Sequence, residues 1–217
     1  MKLLFDCDGT ILDSMHIWTE PIRKLLVEYD YKLTKEKKGE IESMDFDGTI
    51  KWLRDNVCKD KNIDEVYAYF ADTIKNAYEN ELMPKKGASE ILRKLKDAGY
   101  DMCITSSTNK DFLISALKRL DLLDLFDFLH TPDSVGYRKD EEKYWQLVLD
   151  KYEINASDAL LFDDALYAVK TANKLGIKTA GIKDFPYNEG EWEDIKKESD
   201  LVLENIADID QKTIESL

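Results

Sequence analysis

The chain of 217 residues is poor in cysteine, in helix breakers and in positive charge. Its three cysteines, Cys7, Cys58 and Cys103, lie far apart and form no CxxC pair. That spacing excludes a disulfide framework and points to reduced, buried thiols in the cytoplasm. With only 9 glycines and 4 prolines, against 43% hydrophobic residues, the composition is that of a folded globular chain. No stretch approaches the roughly 18 apolar residues of a membrane span. The short apolar run Leu3–Phe5 is stopped by Asp6 and Asp8, so no signal peptide is expected at the start. Lysine and arginine number 31 against 45 acids, a formal net charge of −14. A chain this acidic repels nucleic acid and anionic membrane, and neither is expected as a partner. An anionic substrate would need local cations or a metal to overcome that field.

What is present is an alternation of strand and helix patterns. Lys2–Asp6, Asp101–Thr105, Phe126–His130, Ala159–Asp163 and Ile177–Ile182 read as short buried strands. Ala88–Ala98, Lys110–Leu120, Glu141–Tyr152 and Ala165–Leu175 carry helical apolar spacing between them. Such a succession predicts an α/β fold: a Rossmann-like, three-layer parallel sheet with helices on both faces. Ligands bind such sheets beyond the carboxyl ends of the strands. One stretch breaks the alternation. From Met15 to about Met83 the pattern is helical only, as in Trp18–Tyr29 and Ile63–Tyr78. The expected organisation is therefore a core of residues 1–14 and 84–217 with an all-helical domain, 15–83, inserted as a cap.

Chemistry gathers at the predicted strand ends. The first strand ends in Asp6-Cys7-Asp8-Gly9-Thr10. Carboxylates are costly at the end of a buried strand unless they are used or compensated. Residues i and i+2 of an extended chain point the same way, so Asp6 and Asp8 can converge on one spot. One could attack phosphorus while the other donates a proton. The second strand ends in Thr105-Ser106-Ser107-Thr108-Asn109, hydroxyls and N–H groups suited to an anion. Ser107 and Asn109 are candidates to face the substrate, and ordinary helix capping explains them equally well. The strand ALLFD ends in Asp163-Asp164, which suits a hard cation such as Mg²⁺. Between them, Lys139 offers a point charge for an anion, with Lys143 as the alternative. Any one of these pieces is weak; four at successive strand ends are specific together.

In this arrangement the chain resembles the haloacid dehalogenase superfamily, in the phosphatase and β-phosphoglucomutase-like branch with a helical cap. Phe5-Asp6-Cys7-Asp8-Gly9-Thr10-Ile11-Leu12-Asp13-Ser14 is similar to its first motif, Thr105-Ser106 to its second, Lys139 to its third and Asp163-Asp164 to its fourth. The resemblance runs from Lys2 to about Ile182. It implies Asp6 as the nucleophile that becomes an aspartyl-phosphate, and Asp8 as general acid and then base. It implies Thr105, the N–H of Ser106 and Lys139 as holders of the phosphoryl oxygens. It also implies a Mg²⁺ site of Asp6, Asp8, Asp163 and Asp164. Two departures stand out. The third motif of close relatives reads Lys-Pro-x-Pro, against Lys139-Asp140-Glu141-Glu142 here. Tyr167 stands near a glycine expected after the fourth motif.

The cap then selects among activities. Where β-phosphoglucomutase has a cap histidine, the alignment places Trp18; its cap lysine and arginine fall on Glu42 and Phe46. Without those cations a bisphosphate is poorly held. The reading is therefore a phosphatase for a small phosphorylated metabolite. A sugar phosphate mutase is the alternative, followed by a non-catalytic phospholigand-binding relative. Trp18 and Phe46 are expected to face the substrate, on an acidic and aromatic surface that suits one phosphate and a polar or cationic remainder. The echo of the first motif, SMDFDGTIKWL, falls within the helical stretch. There Asp45 or Asp47 is expected to cap a helix rather than build a second centre.

Overall fold

The computed structural model describes residues 1–34, 37, 41 and 46–217, without the side chain of Phe46. They form two compact units, residues Met1–Ser14 with Leu82–Leu217, and residues Met15–Glu81.

The first unit is built on six parallel strands: β1 (Lys2–Phe5), β2 (Met102–Thr105), β3 (Phe128–His130), β4 (Ala159–Asp163), β5 (Lys178–Ile182) and β6 (Leu201–Leu203). Their order across the sheet is β3-β2-β1-β4-β5-β6. Successive strands first run outward on one side of β1 and then restart on the other. The order therefore reverses between β1 and β4, where a doubly wound sheet opens a crevice at its carboxyl edge. The sixth strand was not expected. Leu201–Leu203 is only three residues long and sits at the sheet edge with Val202 exposed, so its apolar pattern is too short to read.

The strands read as unbroken apolar runs because both faces are covered. Leu4, Cys103 and Leu161 point to one face. There they meet Tyr144, Trp145 and Val148 of a helix over Glu142–Tyr152, and Ala168 and Ala172 of a helix over Leu166–Lys174. Their neighbours point the other way, and Phe5 stacks on Phe162 at 4.7 Å between ring centres. Cys7 is buried, as expected of a packing residue, and all three thiols are free. The helices over Ala88–Asp97 and Lys110–Arg119 begin at expected positions and end one residue early.

The second unit has, among its described residues, helices over His16–Glu28, Phe46–Asn56 and Ile63–Asn76, a π-helical turn over Ala77–Glu81 and no strand. Leu25, Ile50, Leu53, Val66 and Phe70 fill its core. Asn62 starts the third helix with a capping box: it accepts the Glu65 N–H at 3.0 Å and gives its own N–H to the Glu65 carboxylate at 2.7 Å. Asp47 lies inside the first turn of the second helix rather than before it, so it is not the cap. Asp45 and Glu42 lie outside the described residues. No described helix is long and apolar enough to cross a membrane.

Candidate active site

The site begins where β1 ends. Asp6 closes the ladder by giving its N–H to the Phe162 carbonyl at 2.9 Å. The chain then folds back at once: Ile11 and Leu12 both donate to the Cys7 carbonyl, and Gly9 donates to Leu12. Gly9 has φ +81°, a conformation that costs other residues roughly 1–2 kcal/mol. The tight loop sets Asp6 against the end of β4, the strand next door.

Asp6, Asp163 and Asp164 are buried, and one oxygen of each lies within 4.8 Å of the others. Lys139 reaches into this group. Its Nζ donates to Asp6 Oδ1 at 2.7 Å and to Asp163 Oδ2 at 2.6 Å, with its side chain 1% exposed. Burial works against the lysine's charge, yet Asp163 and Asp6 outweigh it and hold the ammonium well above the usual range. Lys143, the alternative, is exposed on the following helix. The stiff prolines of close relatives are replaced here by other braces. The Trp145 indole N–H donates to the Lys139 carbonyl at 2.8 Å, and Glu141 accepts the Arg138 N–H at 2.7 Å.

The charge balance of this group calls for a cation. Three buried carboxylates face one ammonium, a surplus of two negative charges when all are ionised. Burial pushes the Asp6 and Asp163 carboxyls up against the pull of Lys139. Burial, with Asp163 and Asp184 adding, pushes Asp164 up to about 8. A divalent, oxygen-seeking ion relieves that strain, and the donors are all oxygens. Space is kept for it. A Cβ on Gly9 would stand 2.6 Å from Asp164 Oδ2, so the glycine leaves a cradle that any side chain would fill. These residues fit Mg²⁺.

Asp8 is held separately. The Ser14 hydroxyl donates to one of its oxygens at 2.6 Å and the Thr108 hydroxyl to the other at 2.7 Å. Thr10 donates to Asp164 Oδ1 at 3.2 Å. Thr105 ends β2 with its hydroxyl buried and without a hydrogen-bond partner among the described residues. The Ser106 N–H corrects an expectation. It donates to the His130 carbonyl at 3.1 Å, because the β2–β3 ladder continues one step past the strand end, so it is not a free donor for phosphate. Ser106 Oγ instead accepts the Thr108 N–H. Ser107 and Lys139 line a cavity of about 580 Å³ together with Pro132, Arg138, Asp140 and Tyr167, within the usual size of a small-molecule site. The bulky Tyr167 is a working part of that wall, its hydroxyl 3.0 Å from Ser107 Oγ. Asn109 caps its helix by accepting the Asp111 N–H. Trp18 belongs to the helical unit, half-buried on its first helix, and the side chain of Phe46 lies outside the described residues.

Sequence reasoning missed Thr108 and Ser14 as holders of Asp8: no spacing rule ties the Thr108 hydroxyl to an acid 100 residues away, and Ser14 reaches Asp8 only through the fold of the loop after β1. It also missed Asp184 and Asn188 beyond β5. Asp184 is buried and paired with Lys85 at 2.7 Å. Asn188 accepts the Asp184 N–H at 3.0 Å and donates to the carbonyls of Asp164 and Ile182, both at 2.9 Å. A signal was available: Asp184 follows Ile182 as Asp164 follows Phe162, an acid just past a strand's carboxyl end.

Known proteins resemble this chain in sequence and fold. The profile of the family described as haloacid dehalogenase-like hydrolase matches residues 3–182. The chain is 24% identical over 212 residues to validoxylamine A 7'-phosphate phosphatase of Streptomyces hygroscopicus subsp. limoneus, covering 95% of this chain and 94% of that one. It is 25% identical over 215 residues to phosphoglycolate phosphatase of Pectobacterium atrosepticum, covering 95% and 89%. The solved structure of a putative beta-phosphoglucomutase from Thermotoga maritima superposes with a TM-score of 0.81 over the whole of both chains, at 19% identity. With a family match over most of its length and this fold, the chain belongs to the haloacid dehalogenase-like hydrolases.

Proposed function

We propose that the chain is a Mg²⁺-dependent phosphatase that hydrolyses a small phosphorylated metabolite through an aspartyl-phosphate on Asp6. The observation that carries this reading is the buried group of Asp6, Asp163 and Asp164 around Lys139. Asp6, with its other oxygen, forms a bond to phosphorus as the bond from phosphorus to the leaving oxygen breaks. Lys139 shifts from the carboxylates to a phosphoryl oxygen, and the partnerless Thr105 hydroxyl donates to another. Asp8, fixed by Ser14 and Thr108, gives a proton to the leaving oxygen. It then takes a proton from the attacking water, whose oxygen bonds phosphorus as the bond to Asp6 breaks. Bound Mg²⁺ would supply charge neutralisation on the phosphoryl group, held by Asp6 and Asp164 with Asp163 beside them.

The helical unit is read as the cap that selects substrate. The names of the two phosphatase relatives support a phosphorylated small molecule as the substrate class. The cavity beside Lys139 supports a substrate of modest size. An aryl phosphate assay with Mg²⁺ tests the activity. Turnover is expected from the parent chain, at least about a thousandfold less from Asp6→Asn, and none after chelation. Absence of turnover in the parent, or equal turnover in Asp6→Asn, refutes the mechanism.

A further inference from the structure

Asp184 is not among the acids of the motif set, yet it is only 6% exposed and only half satisfied. Its Oδ1 is paired with Lys85 at 2.7 Å. Its Oδ2 is buried and has no hydrogen-bond partner among the described residues. That free oxygen faces Asp164. A Cβ built on Gly9 would lie 2.6 Å from Asp164 Oδ2 and 2.9 Å from Asp184 Oδ2, so the two oxygens are within about 5.5 Å of each other across the glycine.

Two residues hold Asp184 in place. Its N–H is taken by Asn188, the residue that also holds the carbonyl of Asp164. Lys85 is itself fastened to the nucleophile loop, its N–H donating to the Ile11 carbonyl at 2.8 Å. A buried carboxylate braced this firmly, with one oxygen left over, is a poor design for a structural ion pair alone. A lysine pair is satisfied by one oxygen, and the leftover acceptor costs stability unless something donates to it. A second carboxylate pointing at the same space is, when ionised, a further acceptor and supplies no donor. What fits is a cation's hydration shell, which donates hydrogen bonds outward to carboxylates and offsets the repulsion between them.

We propose that Asp184 is an outer carboxylate of the cation site, accepting on Oδ2 a hydrogen bond from a water carried by Mg²⁺ at Asp164. Asn188 is its positioning residue, and Lys85 is its competing counter-ion. This rests on the magnesium reading of the site and extends it to a residue beyond β5. The mechanism assigns Asp184 no contact with substrate; its work is to hold the cation.

Isothermal titration of the full chain with Mg²⁺ alone tests this. Lys85→Met serves as the reference, because it removes the counter-ion and keeps the carboxylate. It is expected to bind Mg²⁺ at least as tightly as the parent. Adding Asp184→Asn to it removes the carboxylate without stranding a buried lysine. That double variant is expected to bind about 10–100-fold more weakly than Lys85→Met, the range for lost outer-shell partners. Equal affinity in the two variants overturns the proposal, as does a Lys85→Met chain that binds several-fold more weakly than the parent. If the asparagine variant does not fold by circular dichroism, Asp184→Ser in the same background takes its place. A parent chain that binds no Mg²⁺, or an Asp164→Asn chain that binds it unchanged, overturns the magnesium reading itself. Mg²⁺ bound by the parent and lost in Asp164→Asn, with Asp184 indifferent, sinks the role of Asp184 alone.

Discussion

Replacing Lys139 by methionine is the sharpest probe of the site's electrostatics. Methionine matches the aliphatic stem, so packing against Trp145 is kept and the charge alone is lost. The ammonium lies 2.7 Å from Asp6 and 2.6 Å from Asp163. At an effective dielectric of about 20, each contact is worth about 6 kcal/mol of gross attraction. Desolvation of the buried charges takes back most of it. What remains, when one partner of a buried pair is removed, is about 3–5 kcal/mol. That is the loss expected for Lys139→Met at pH 7.5 without Mg²⁺. The sign of its pH dependence follows from the carboxylates left behind. Without the ammonium, burial holds the Asp6 and Asp163 carboxyls still further above the range of the unfolded chain, so protonation restores more stability to the variant than to the parent as pH falls. The loss should therefore be smaller at pH 5.5 than at pH 7.5. Urea unfolding of parent, Lys139→Met and Lys143→Met at the two pH values reads this directly. Lys143 is exposed, and its variant should stay within about 0.5 kcal/mol of the parent. A loss in Lys139→Met that is the same at both pH values, or a larger loss in Lys143→Met, would refute the buried charge balance.

Two further tests address the loop and the sheet. Gly9→Ala should lose roughly 1–2 kcal/mol of stability from its left-handed φ and, because the new Cβ strikes the carboxylates of Asp164 and Asp184, should also lose Mg²⁺ binding. Thermal melts with and without Mg²⁺ check both, and a stabilisation by Mg²⁺ equal to the parent's would contradict the cradle. His130 is buried at the end of β3 with its Nε2–H donating to the Tyr144 carbonyl at 3.0 Å, and burial holds its pKa down to about 4. The unfolded chain binds that proton near pH 6.5, so stability falls as pH drops from 6.5 to about 4, by up to about 3 kcal/mol. Proton NMR of the two imidazoles should show His130 unchanged above pH 5, and a midpoint near 6.5 would refute it.

Much of this site could be read in the chain because one physical rule generates it. A buried strand must stop being apolar somewhere, and in a parallel sheet its carboxyl end is where polar groups gather. Asp6, Thr105 and Asp164 each close or follow such a run, whereas Lys139 lies in the loop between the helix over Pro132–Val135 and the helix at Glu142. The strand boundaries came within two residues, because the runs are continuous and closed by glycine or acid. The helical stretch was legible for the complementary reason: it lacks any run of that kind. Beyond this, local pattern is silent. The Thr108 hydroxyl meets Asp8 only because β1 and β2 are neighbours, with Phe5 opposite Ile104 in register, while Ser14 reaches it from the same loop. Nothing in a T-S-S-T-N run says which hydroxyl turns toward an acid.

Ser106 and Asp184 show the limits of that rule from opposite sides. Ser106 stands where a free N–H was expected, yet the ladder to His130 runs one residue further than the apolar run and consumes it. The extent of pairing is set by the partner strand, not by the strand that is read. Asp184 obeys the rule fully, being an acid just past β5, but it falls beyond the reach of the family motifs. A motif marks residues by a remembered order, whereas the strand-end rule marks them by cause. Applied evenly, the rule selects Asp184, which faces Asp164 across Gly9, and rejects the second Asp-Phe-Asp-Gly-Thr, whose Asp47 lies inside a helix with no strand before it among the described residues. The same Asp-x-Asp-Gly-Thr-Ile pattern is thus a site in one place and a helical turn in the other, and what separates them is the buried strand in front.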